Sequence, residues 1–106
     1  MTFPPYDTAI LFGTQSVVGQ NREQLLWRAY ATDDAPETVA AFYQRALGTN
    51  GLTIMGQEAI WRLPAERPVE VLHILPIDAD GPHLVFRHAW PASARTAIIV
   101  SHLSRP

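Results

Sequence analysis

The sequence predicts an α+β fold, a single helix packed on a curved, mainly antiparallel meander sheet of about five to seven strands. Two observations carry this. Apolar residues recur at helical spacing in one place only, between residues 35 and 47, whereas elsewhere they fall in short runs divided by turn-forming residues. A parallel step between strands consumes a dozen or more residues, usually as a helix, so one helix cannot serve a parallel sheet of that size. The chain has 106 residues and 47% apolar composition, which suits one domain, 1–106, built on one core.

Taken in order, the first strands cover 9–18 and 24–32 and are joined at Gly19-Gln20-Asn21. The helix start is written in Thr32-Asp33-Asp34-Ala35-Pro36-Glu37. Asp34 as N-cap places Glu37 at the third helical position in a capping box. Pro36 drives the residue before it out of the α region, which makes Ala35 the competing cap. Val39, Phe42, Tyr43, Ala46 and Leu47 then form one stripe, Glu37 and Arg45 complement the helix dipole, and Gly48 supplies a left-handed C-terminal residue. Asn50-Gly51 turns the chain into a strand at 52–55, and Gly56-Gln57-Glu58 into another at 59–63. Strands at 69–77, 83–90 and 94–103 follow, separated by Asp78-Ala79-Asp80-Gly81-Pro82 and by Pro91-Ala92-Ser93.

The run Trp27-Arg28-Ala29-Tyr30-Ala31-Thr32, then Asp33-Asp34-Ala35-Pro36-Glu37 and a helix carrying Val39, Phe42, Tyr43 and Leu47, resembles a loose group of small bacterial one-helix α+β domains. The resemblance covers about the first half of the chain. It implies a fold, not an activity, and brings no catalytic residues with it.

Side chains alternate between the faces of a strand, and tryptophan is taken here to mark the core face. That parity sends Leu25, Trp27 and Ala29 toward the helix, with Ala59, Trp61 and Leu63, with Val69, Val71, His73, Leu75 and Ile77, and with Leu84, Phe86, His88 and Trp90. The opposite face then carries Leu26, Arg28, Tyr30, Ile60, Arg62, Leu72, Ile74, Val85 and Arg87. A sheet wetted on one side normally alternates cleanly between apolar and polar, so this mixture implies a cover. A second copy of the chain docked face to face is one cover, and the sheet's own curl is the other. The set on the opposite face is the candidate homodimer interface, and Trp27, Trp61, His73, His88 and Trp90 are the candidate pocket.

The chemical vocabulary is sparse. The chain has no cysteine, which excludes disulfides, thiolate metal sites and cysteine nucleophiles. Its formal charge of −2 gives no expectation of nucleic-acid binding, and no apolar run approaches the ~20 residues of a membrane span. A soluble cytoplasmic protein is expected. On a strand, His83 and His88 would point to opposite sides, and His73 and His88 lack a third ligand, so no metal is expected. Asp78 and Asp80 lie beside His83 in a turn that uses aspartates for its own backbone. No Gly-x-Ser-x-Gly elbow is present, and Gly13 to Gly19 lacks the Lys-Ser/Thr of a phosphate loop. Arg28, Arg62 and Arg87 make an anion site only if their strands are adjacent. The reading that results is a non-catalytic binding or interaction module, without cofactor, that self-associates through its sheet. The alternative is a small-molecule-binding protein or small enzyme with a cleft between helix and sheet and His73 or His88 as its polar group.

Overall fold

The computed structural model describes residues 3–62 and 69–104. Its strands are β1 (Ile10–Val18), β2 (Gln24–Thr32), β3 (Leu52–Met55), β4 (Glu58–Arg62), β5 (Val69–Pro76) and β6 (Thr96–Ser104), with helix α1 (Pro36–Leu47) and a 3-10 segment, Pro82–Ala89. All six strands join one sheet in the order β1-β2-β6-β5-β4-β3, and every pairing is antiparallel. The fold class is α+β as expected, with two helical elements in place of one. The sheet is not a simple meander, because β6, the last strand, lies between β2 and β5 and joins the β1–β2 hairpin to the β3–β4–β5 meander.

The second helical element corrects the strand expected at 83–90. Pro82 sits in the first turn, where its fixed φ favours helical geometry. His83 is buried and Phe86 and Trp90 half-buried, while Val85, Arg87, His88 and Ala89 are exposed. The covered residues are thus His83, Leu84, Phe86 and Trp90, with His88 exposed, which breaks the period of two that Leu84, Phe86, His88 and Trp90 suggested. Topology reinforces this, since β5 and β6 already have neighbours on both sides and leave no vacant slot beside them.

Helix α1 starts as its proline dictates. Ala35 is the N-cap, in extended conformation at φ −66° and ψ 150°, with no side-chain capping bond, so the Asp34 capping box does not form. Gly48, at φ 74°, ends the helix and its N–H donates to the Gln44 carbonyl at 2.8 Å. Val39 and Tyr43 are buried and Phe42 and Leu47 half-buried, but Ala46, expected on the stripe, is exposed.

Under α1 lies the front face of the sheet, where Val39 and Tyr43 pack with Ala59, Trp61, Leu72, Ile74, Ile98 and Val100, and with Phe3 from the N-terminal segment. Trp61, 1% exposed, donates its indole N–H to the Gly48 carbonyl at 3.1 Å, which ties β4 to the helix end. On the reverse face Leu75, Ala97 and Ile99 are buried beneath Ile77 and Ala79. The 3-10 segment reaches β1 there. Phe86 meets Phe12 edge to face, with ring centroids 6.2 Å apart, and lies so close over Gly13 that a Cβ would stand 2.5 Å from its ring. The pairing of β1 with β2 is irregular between Leu11 and Gly13, beside that contact.

Tryptophan proves a poor guide to the faces. Leu72 and Ile74 pack under the helix, and register places Tyr30 opposite Ile98 and Arg28 opposite Val100. Tyr30, Arg28 and Leu26 therefore share the front face, while Leu25, Trp27 and Ala29 lie on the reverse. His73 pairs with Ile60 and Ile99 on the reverse face, so β5 is inverted relative to expectation as well. Ala59 and Trp61 do face the helix. Leu63 falls outside the described residues, as does the side chain of Val69.

Candidate functional site

The two sets of residues proposed from sequence are not brought together. Of the candidate pocket, Trp61 is sealed under α1, Trp27 and His73 lie on the reverse face, and His88 and Trp90 sit on or beside the 3-10 segment. Of the candidate interface, Leu72 and Ile74 are buried beneath the helix at 0% and 1% exposure. Tyr30 packs against the front core, with Leu26 and Arg28 on its side of β2, whereas Ile60 and Arg62 face the reverse and Val85 and Arg87 ride on the 3-10 segment. The three arginines consequently do not converge on one anion. The reverse face is also covered in part by the chain itself, through Ile77, Ala79 and the 3-10 segment, and this removes the ground for a face-to-face dimer.

What lies open is an edge. Four of the exposed large apolar side chains belong to β1: Ile10, Leu11, Val17 and Val18, from 48% to 66% exposed. Ile54 and Met55 lie on β3, the short opposite edge, and Val85 on the 3-10 segment. An edge strand presents unpaired N–H and C=O groups, and proteins guard it with lysine, inward charges, proline, a bulge or a covering element, of which β1 has the irregularity at Leu11/Gly13 and the 3-10 segment over Gly13. Strand β1, Ile-Leu-Phe-Gly-Thr-Gln-Ser-Val-Val, has no charged residue and no proline, and the whole chain has no lysine. Its nine residues contrast with four in β3.

A second feature lies where the N-terminal segment crosses the front face. Phe3 is buried at 1% exposure, and Tyr6 and Ala9 pack against the same core. The segment is fastened by its polar groups: Tyr43 donates its hydroxyl to the Pro4 carbonyl at 2.8 Å, Tyr6 donates to the Asp34 carboxylate at 2.5 Å, and the Thr8 and Thr32 hydroxyls meet at 2.7 Å. The hydrogen bond to Asp34 comes first among the causes that push the Tyr6 phenol up to about 12, with desolvation second. Asp34, expected to cap the helix, thus anchors the segment in front of it, while the Thr96 hydroxyl donates to the Asp34 backbone carbonyl at 2.6 Å. Beneath the segment a cavity of about 80 Å³ is lined by Phe3, Tyr6, Tyr30, Tyr43, Ile98 and Val100, among others.

The imidazoles have separate local partners. His73 Nδ1 lies 2.7 Å from the Glu58 carboxylate across β4–β5, and His102 Nδ1 lies 3.4 Å from Glu70. His83 contacts the Ile77 carbonyl through Nε2 at 2.7 Å and stacks on Trp90, with centroids 5.3 Å apart. Asp78 and Asp80 are exposed in the turn and His83 turns to the backbone, so no acid–base pair forms there. Among the described residues no group of three or more His, Cys, Asp or Glu side chains could hold a metal ion, and no helix is long and apolar enough to cross a membrane.

Sequence reasoning missed both open features. The edge was signalled by an uncharged apolar first strand, and the segment by Phe3-Pro4-Pro5-Tyr6, an aromatic-rich stretch ahead of it. Comparison of the chain with family models, with curated proteins and with solved structures gave no match. Fold and open features together define its class: a six-stranded α+β domain whose longer edge strand is apolar and free of charge and proline.

Proposed function

We propose that this chain is a non-catalytic interaction module that self-associates through β1, and that the partner is a second copy paired antiparallel along that edge. One observation carries the reading: the exposed apolar residues of β1 cluster at its two ends, on a strand without charge or proline. A twofold axis near Thr14 sets the Ile10–Leu11 end of one copy beside the Val17–Val18 end of the other, each end carrying one apolar side chain on either face of the sheet. The patch is then self-complementary, as a closed twofold dimer requires. Backbone hydrogen bonds along the edge supply affinity and the apolar pairs supply register. The two sheets merge into one that continues across the dimer axis.

The test is mass by light scattering at tens of micromolar. The dimer mass is expected for the native chain, and the monomer mass for Val17→Lys, which puts a charge where two apolar side chains meet. Circular dichroism of the variant should match the native spectrum. A native chain that scatters as a monomer at this concentration overturns the proposal.

A further inference from the structure

We infer that the cavity beneath the N-terminal segment is a binding site for a small apolar molecule bearing one hydroxyl group. The inference is independent of self-association, because the cavity lies on the front face and draws on β2, β6, α1 and the segment 3–9, not on the β1 edge.

Its volume comes first. Interiors are packed to crystal-like density and leave few voids larger than a water molecule, and here a partly open pocket of about 80 Å³ lies between the segment and the sheet, beside the buried core. A cavity of about 150 Å³ with apolar walls stays dry and takes benzene or xenon. The present one is about half that, the scale of a short alkyl chain or part of a ring.

Its walls come next. Ile98 and Val100 form the sheet side and Phe3 the segment side, so over this part of the wall, away from the tyrosines, water entering would find no side-chain polar partner. An apolar occupant loses nothing by comparison. The polar groups available are the tyrosines. The Tyr6 and Tyr43 rings lie 6.4 Å apart, centroid to centroid, and Tyr30 lines the same cavity. Tyr43 and Tyr6 already donate, to Pro4 and to Asp34, and what remains on each oxygen is acceptor capacity. A group that donates suits that place, hence the hydroxyl on the ligand.

Access comes last. The segment 3–9 has no strand partner and is held by the buried Phe3 ring together with side-chain bonds at Pro4, Tyr6 and Thr8. The cavity is partly open to solvent as it stands, so a small molecule reaches it without Phe3 leaving the core.

The experiment titrates the isotope-labelled 106-residue chain with 1-butanol and follows the methyl resonances of Ile98 and Val100. Saturable shifts at these methyls are expected. Ala9→Leu, which fills the cavity from the segment, should weaken binding at least tenfold, and Val100→Leu fills it from the sheet should Ala9→Leu fail to fold. Butane under pressure should bind several-fold more weakly than 1-butanol. Shifts that rise linearly without saturation, binding that survives a folded cavity-filling variant, or equal binding of butane and 1-butanol would each overturn the inference.

Discussion

Three residues carry the clearest pH signatures. His83 is 1% exposed, and with its Nε2–H donated to the Ile77 carbonyl its Nδ1 is a lone pair that has no hydrogen-bond partner among the described residues. Burial lowers its pKa, against the opposing pull of the Ile77 hydrogen bond and the Glu58 charge. The unfolded chain, in which an unperturbed histidine titrates near ~6.5, therefore binds this proton more readily than the folded one. The His83 contribution is fully present above that pH and is lost as pH falls below it. Urea midpoints measured from pH 7.5 to pH 5 should decline, and His83→Gln should flatten the decline. If the variant tracks the native curve, His83 is not the group responsible. At the alkaline end, Tyr6 and Tyr43 are both pushed up to about 12. Folding holds these protons more tightly than the unfolded chain does, so stability should fall as pH rises past ~10. Phenolate absorbance at pH 11 should show both tyrosines still largely protonated while the chain is folded.

At the scale of elements, the 3-10 segment and the β1 irregularity form one unit. Gly13 is required by proximity and not by a left-handed φ, because the space its Cβ would fill belongs to Phe86. Gly13→Ala should cost about 1–3 kcal/mol, the usual range for overpacking. Gly13→Ala/Phe86→Ala should cost less than the sum of its two single changes, since the second removes the clash made by the first. Chemical denaturation of the four proteins measures this, and strict additivity would mean the ring moves aside freely. At the other end of the fold, Trp61→Phe keeps the aromatic body under α1 but deletes the donor to the Gly48 carbonyl. A loss of about 1–2 kcal/mol is expected in the same measurement, because a helix-terminal carbonyl loses its partner.

For the molecule as a whole, the central position of β6 is decisive. It pairs with β2 on one side and β5 on the other, so the first and last parts of the chain fold together. One consequence is that β1 becomes an edge and not an interior strand, and self-association at that edge follows from topology as much as from composition. Helix α1, its glycine end, the two hairpins and the antiparallel sheet were determined by the sequence, because periodicity, proline and turn residues act within a few positions of where they stand. The faces were decided by tertiary structure alone. Both sides of β2 and β5 are largely apolar, Trp27 against Tyr30 and Leu75 against Leu72, and a strand greasy on both sides carries no local mark of which one meets the helix. The segment 82–89 reads as a strand from the alternation of Leu84, Phe86, His88 and Trp90, and the 3-10 form follows from Pro82 at its start and from the absence of a free slot beside β5 and β6.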